Sequence, residues 1–111
     1  MSDGLKKLQL QMGKLGKELP EVMEKFMKLD HECVKDGVLS HKTKELMALS
    51  IGVAIRCKYC IQFHAAEAFK AGATKEEMLE AASVAVFMGG GPGLVYAATE
   101  LLEVFDELGV K

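Results

Sequence analysis

Hydrophobic and polar positions follow a helical period along nearly the whole chain. Near the N-terminus, for example, apolar residues recur every three or four positions, at Leu5, Leu8, Met12 and Leu15. A half-buried strand would instead show apolar residues at every second position, and no stretch has that pattern. The sequence therefore predicts an all-α protein.

Proline and capping residues divide this pattern into about six helices. Pro20 suits the first turn of a helix, where its missing N–H is no loss. Ser40 is a suitable N-cap, and Thr74 with Glu77 matches the capping box, in which side chain and backbone satisfy each other. A glycine-rich stretch, GGGPG at 89–93, predicts a flexible connection with close backbone packing. The predicted helices cover about residues 4–17, 20–36, 42–55, 57–71, 75–88 and 94–108.

The length and composition predict one small domain that associates with copies of itself. The chain has 111 residues, of which 50% are hydrophobic, so residues 1–111 fit a single domain. A domain of this size buries only about two-thirds of its unfolded surface. The helix at 42–55 is apolar nearly all round, and we expect it to be buried on most sides.

Charge and hydropathy give no indication of nucleic acid or membrane as a partner. The net charge is −2, and no basic patch with interleaved aromatic residues is present. The N-terminal residues lack the apolar core of a signal peptide. The uncharged stretch at 46–55 is far shorter than the roughly 20 residues that span a bilayer. We therefore expect a cytoplasmic protein.

The segment CKYCIQFH at 57–64 contains the most distinctive chemistry. On a helix, Cys57, Cys60 and His64 share one face, because they are separated by three and four residues. If the helix begins near Cys57, its free amides and dipole favour a thiolate there, as do the flanking Arg56 and Lys58. His64 is one turn beyond Cys60 and can exchange a proton with its sulfur.

Three interpretations of this segment compete: a redox-active dithiol, half of a metal site, and buried residues with a structural role only. A structural zinc site needs four ligands, and His31, Cys33 and His41 have no tight ligand spacing. His31 and His41 are expected to be surface residues and Cys33 a bystander thiol. A redox dithiol without metal or cofactor is the favoured interpretation. Thioredoxin itself does not fit, because its CxxC follows a strand.

Glu45 is a second candidate for the site. Its neighbours three, four and seven positions on are Ala48, Leu49 and Gly52, all uncharged. A carboxylate on an apolar helix face is costly to bury unless it is paired, which makes Glu45 a candidate acid or base. The alternative is an exposed glutamate near the positive end of the helix.

Glu45 and Cys57-x-x-Cys60-x-x-x-His64, within SHKTKELMALSIGVAIRC and AFKAGATKEEMLEAA, resemble the carboxymuconolactone decarboxylase superfamily. Within it the pattern is similar to the alkylhydroperoxidase D-like branch, over residues 26–101. The resemblance implies an orthogonal helical bundle that assembles into trimers or hexamers. It also implies reduction of hydroperoxides by the cysteine pair, which an external dithiol electron donor would then reset.

The resemblance assigns a role to each candidate residue. Cys60 would be the peroxidatic thiol, Cys57 the resolving thiol, and Glu45 with His64 a proton relay acting through water. The local electrostatics favour Cys57 as the more acidic thiol, but His64 is nearer to Cys60 in helical register, so we follow the family assignment. Other members have a second histidine where this chain has Tyr59, which leaves the strength of the peroxidase activity open.

Two other functions are compatible with the sequence. One is a lactone-acting enzyme of the carboxymuconolactone decarboxylase type, which would not depend on a cysteine pair. The other is a non-enzymatic helical assembly module whose cysteines are structural or bind a metal. The sequence identifies neither the physiological peroxide nor the electron donor.

Overall fold

The structure, a computed structural model, describes residues 4–111, and within that range it contains helices and no strand. This confirms the all-α prediction. A π-helical turn, Ala97–Leu101, joins the last two helices. The helices are α1 Gly4–Glu18, α2 Pro20–Val34, α3 His41–Ala54, α4 Lys58–Lys70, α5 Lys75–Tyr96 and α6 Leu102–Leu108.

The helix starts lie where the sequence predicts them. The backbone N–H of Thr43 donates to the Ser40 hydroxyl at 3.1 Å, so Ser40 caps α3. The predicted capping box of α5 is complete: Glu77 N–H donates to Thr74 Oγ1 at 3.0 Å, and Thr74 N–H donates to the Glu77 carboxylate at 2.8 Å. These boundaries are local features, and they are confirmed to within one or two residues.

The GGGPG segment connects two helical segments, as predicted, and no loop separates them. Only Gly90 departs from helical geometry, with φ 70° and ψ −156°. A Cβ at Gly89 would lie 3.4 Å from the backbone of Ala54, so the predicted close backbone packing is present. The chain reverses direction at Gly90, because Lys75 Nζ at one end of Lys75–Leu108 lies 5.8 Å from the ring centroid of Phe105 near the other end. The described residues therefore contain about six helical segments, as predicted.

The residues on both sides of Gly90 correct one step of the sequence analysis. Residues 81–99 carry no charged side chain and form a longer uncharged stretch than 46–55. By length and composition alone, Lys75–Leu108 could cross a membrane, and 17% of its most apolar window is buried, but the reversal at Gly90 divides this range into two shorter helical segments. Such a test is also passed by core helices of soluble proteins, and here Met78, Ala82 and Ala85 pack in the core.

The core lies between α3, α4, α5 and α6. Helix α3 packs mainly against α4 and α5, so Leu49 and Val53 on those sides are fully buried. Its remaining face is open, and Met47, Ile51 and Ile55 are 48–61% exposed. The prediction that α3 is buried on most sides therefore holds except at this face, which no element of the described chain covers. The core cluster consists of Leu49, Val53, Ile61, Ala65, Ala68, Ala73, Met78, Ala82, Ala85, Leu101, Val104 and Phe105.

The α1–α2 hairpin lies outside this core. Helix α1 buries only Leu5 among its described residues, and α2 buries none. The hairpin contacts the rest of the protein mainly through α4 and, less extensively, through α3 and α6. It leaves apolar side chains of α1 and α2 facing α4 across a groove.

Candidate active site

A tight turn between α3 and α4 places the two cysteines at the start of α4. Arg56 has a left-handed backbone conformation with φ 59°, and the N–H of Cys57 donates to the Gly52 carbonyl at 2.9 Å. Cys57 is the N-cap of α4, and its sulfur accepts the backbone N–H of Cys60 at 3.3 Å. The expectation that the helix begins near Cys57 is confirmed. Negative charge on sulfur is favoured at this position by the helix dipole.

Gly52 allows α3 and α4 to approach closely next to the cysteines. A Cβ at this position would lie 3.2 Å from Cys60 Cβ and 3.3 Å from the backbone nitrogen of Ile61. Both distances are shorter than ordinary van der Waals contact. The absence of a side chain at Gly52 thus brings the first turn of α4 against α3, the helix that carries Glu45.

Cys57 and Cys60 form a disulfide, with their Cα atoms 5.2 Å apart. Their positions on the first turn of α4 thus allow the pair to bond as the dithiol interpretation requires. Cys33 is a free, exposed cysteine. Across residues 4–111, no group of three or more histidine, cysteine or acidic side chains could hold a metal ion. The metal-site interpretation therefore has no ligand set in this part of the chain.

Glu45 and His64 are in direct contact. The Glu45 side chain is 2% exposed and that of His64 20%, and Oε1 of the carboxylate lies 2.7 Å from Nδ1 of the imidazole. The alternative of an exposed Glu45 is therefore wrong, and no water molecule is needed between these two groups. An ionised carboxylate can only accept, so the bonded Nδ1 carries the proton and Nε2 is free to act as a base. The catalytic roles of Glu45 and His64 remain predictions.

His41 is a residue that the sequence analysis assigned only to the surface. Its Nε2 lies 4.0 Å from the second carboxylate oxygen of Glu45, and its Nδ1 lies 2.6 Å from the Val34 carbonyl. Its side chain is 36% exposed. One signal in the sequence could have identified this contact: His41 and Glu45 are four residues apart, and side chains at that spacing are neighbours on a helix.

An apolar pocket of about 520 Å³ lies between the α1–α2 hairpin and α4. Helix α4 contributes Cys60 and His64 to its wall, together with Tyr59 and Phe63, whereas Cys57 is not part of the wall. The pocket can therefore bring an apolar molecule next to the sulfur of Cys60. The hairpin contributes Leu8, Gln9, Met12, Gly13, Met23, Phe26, Met27 and Asp30.

Comparison with known proteins identifies relatives along most of the chain. A structure of a carboxymuconolactone decarboxylase family protein from Legionella pneumophila is 48% identical, with 94% of this chain and 92% of that chain covered and a TM-score of 0.86. A family protein from Thermotoga maritima, described as having a possible involvement in the antioxidative response, is 32% identical, with 78% and 88% covered and a TM-score of 0.72. An uncharacterised protein from Cupriavidus necator is 36% identical over 104 residues, with 94% of this chain and 91% of the relative covered.

The family model named Carboxymuconolactone decarboxylase family matches residues 20–103. That range contains α2 to the π-helical turn, and with them Glu45, both cysteines of the disulfide and His64. The structural relatives share the helical fold over at least 78% of this chain. The protein therefore belongs to the carboxymuconolactone decarboxylase family.

Proposed function

We propose that this protein is a thiol-dependent hydroperoxide reductase of the alkylhydroperoxidase D-like branch. The observation that carries the proposal is the position of Cys60 and His64 in the wall of one apolar pocket. Cys57, the disulfide partner of Cys60, lies outside that wall. This difference supports Cys60 as the attacking thiol and Cys57 as the resolving one. The description of the Thermotoga relative is consistent with this role.

The reaction balances with two thiols and one hydroperoxide. The Cys60 thiolate attacks one oxygen of the O–O bond, which breaks, and the alkoxide leaves and takes a proton to become an alcohol. Cys60 is then a sulfenic acid. The Cys57 thiol attacks that sulfur, water leaves, and the disulfide forms. An external dithiol reduces the disulfide and is itself oxidised, which restores both thiols.

The histidine–glutamate pair supplies the proton steps. With its Nδ1 proton bonded to Glu45, His64 can accept the thiol proton of Cys60 at Nε2 and later return it to the alkoxide. The buried carboxylate of Glu45 stabilises the imidazolium that forms in between. The lining of the pocket favours hydroperoxides with an alkyl group over hydrogen peroxide, because such a group can be buried against apolar side chains.

The test is a count of thiols during one cycle of oxidation and reduction. Wild-type protein treated with tert-butyl hydroperoxide should lose two thiols per chain and regain them with dithiothreitol. Cys60→Ser should no longer consume peroxide, and Cys57→Ser should stop at a sulfenic acid on Cys60. Cys33→Ser is the matched control, since Cys33 is exposed and unbonded, and it should behave like wild type.

The same variants separate the proposal from its alternatives. A lactone-acting enzyme would keep its activity in a Cys57→Ser, Cys60→Ser double variant. A metal-binding assembly module would contain about one zinc per chain and lose it with either cysteine. Failure of wild-type protein to lose two thiols reversibly, or unchanged peroxide consumption in Cys60→Ser, would rule out the reductase.

We also propose that the protein works as a homo-oligomer, a trimer or a hexamer. Exposed apolar side chains on α3 and α5, including Ile51, Ile55, Phe87 and Met88, support this, because soluble single chains rarely leave so many uncovered. Phe87 is 82% exposed, and we expect Phe87→Glu to lower the mass measured by light scattering. A wild-type mass equal to one chain at all concentrations would contradict the proposal.

A further inference from the structure

The two carboxylate oxygens of Glu45 face two different histidines. Oε1 bonds to Nδ1 of His64, while Oε2 lies 4.0 Å from Nε2 of His41. His64 is in the wall of the pocket, and His41 is not. Glu45 therefore lies between a histidine next to Cys60 and a histidine with 36% of its side chain exposed to solvent.

The position of His41 is fixed by two further contacts. Its backbone N–H donates to the Asp36 carboxylate at 2.8 Å. Its Nδ1 lies 2.6 Å from the carbonyl of Val34, which can only accept, so Nδ1 carries a proton. In the neutral ring Nε2 then has a lone pair directed at the Glu45 carboxylate, and two acceptors facing each other repel. A proton on Nε2 of His41 converts this repulsion into an ion pair.

The ion pair of His41 with Glu45 and the hydrogen bond of His64 with Glu45 involve the same buried carboxylate, so the two histidines compete for it. When His41 is an imidazolium, it neutralises Glu45 and His64 is free to accept a proton from Cys60. When His64 becomes the imidazolium, it neutralises Glu45 at 2.7 Å, and His41 can release its proton to water. The separation of 4.0 Å is an ion-pair distance, about 1 Å longer than a hydrogen bond.

We infer that His41 is a positioning residue that keeps Glu45 paired with one imidazolium at a time throughout the redox cycle. It releases a proton to solvent as His64 takes one from Cys60, and it takes a proton back when His64 protonates the leaving alkoxide or the reforming thiol. The summed charge of His41, Glu45 and His64 then stays at zero, and the negative charge that develops is that of the Cys60 thiolate. The inference rests on the proposed function for the identity of the oxidant only.

The test uses single-turnover rates in both directions: oxidation of the dithiol by tert-butyl hydroperoxide and reduction of the disulfide by dithiothreitol. His41→Ala should slow both by about tenfold, less than the loss expected for a group that touches the reacting atoms. Added imidazole should restore most of both rates, because it can occupy the vacated space and exchange protons with solvent. His31→Ala, a change at an exposed histidine of α2, should have wild-type rates with and without imidazole.

A second variant separates proton exchange from structure. His41→Asn keeps an N–H near the Val34 carbonyl but cannot titrate, so it should fold like wild type and be as slow as His41→Ala. Wild-type rates in either variant would overturn the inference, as would a slow His41→Ala that imidazole does not accelerate. If peroxide fails to oxidise wild-type protein but reduction by dithiothreitol still depends on His41, the proposed function fails and the inference stands.

Discussion

Replacement of His64 by alanine should destabilise the protein more than its partial exposure suggests. The change removes the group that bonds to Glu45 at 2.7 Å and leaves a carboxylate that is only 2% exposed. At neutral pH that carboxylate must remain charged without its partner, take up a proton, or draw water into the core. Each of these outcomes costs free energy of folding.

The magnitude follows from the geometry. The neutral imidazole of His64 donates to the Glu45 carboxylate at 2.7 Å, and a hydrogen bond to a charged group contributes about 1.5–3 kcal/mol. Its loss leaves a buried carboxylate without a donor, which adds to this cost. Since His41 lies 4.0 Å from the other carboxylate oxygen and can compensate in part, we expect about 3 kcal/mol for His64→Ala.

Two control variants isolate the charge. His64→Asn keeps an N–H donor near the position of Nδ1, so it should retain most of the stability but lose proton exchange with Cys60. Glu45→Gln removes the charge and still accepts a hydrogen bond, for a cost of about 1 kcal/mol. In the double variant Glu45→Gln, His64→Ala no buried charge remains, so we expect it to be about 2 kcal/mol more stable than the sum of the single effects.

The assay is urea unfolding of the oxidised protein at pH 7, with all variants at one protein concentration because self-association would change the apparent stability. A loss of under about 1 kcal/mol in His64→Ala, together with no coupling in the double-variant cycle, would refute the reasoning. It would mean that the buried carboxylate of Glu45 is not stabilised by His64.

Two further predictions concern positions with contrasting surroundings. Gly52→Ala should destabilise the protein by about 1 kcal/mol and slow disulfide formation, because the new methyl group meets Cys60 Cβ at 3.2 Å. Gly13→Ala in α1 should stabilise the protein by up to about 1 kcal/mol, because nothing lies within 4 Å of the new methyl group. Urea unfolding of both variants checks this. The hydrogen bond from the Thr74 backbone holds the pKa of the Glu77 carboxyl below its ordinary value of 4.5, so NMR titration should place it there. Because this pKa is lowered in the folded state, the stabilisation is present above pH 4.5 and is lost as the pH falls through the folded value; an unshifted titration of Glu77 would contradict this.

The sequence was sufficient for those features of the fold that depend on neighbours in the chain. Ser40 caps α3 through Thr43, three residues on, and the Thr74 capping box opens α5 in the same way. Such contacts are set by spacing alone and can be predicted without knowing the tertiary structure.

Features that depend on packing between distant helices could not be predicted in the same way. Helix α3 is apolar on most sides, but periodicity does not reveal whether its own chain or another copy covers Ile51 and Ile55. The glycines at 89–91 indicated a connection with close backbone packing, but the pattern does not show that the backbone of Ala54 is what Gly89 packs against. The pocket beside Cys60 likewise depends on where the α1–α2 hairpin lies, which no local signal sets.

Two features of the site concern the route by which protons enter and leave it: Tyr59, which replaces the histidine expected from the family resemblance, and the contact of His41 with Glu45. A histidine at position 59 would have added a titratable group to the wall of the pocket, where Tyr59 lies. His41 provides one on the other side of Glu45, outside the pocket. A proton that exchanges through His41 does not have to cross the space that a substrate fills. A bulky alkyl hydroperoxide can therefore exclude water from the pocket without isolating His64 from solvent, and saturating such a substrate should leave the dependence on His41 unchanged.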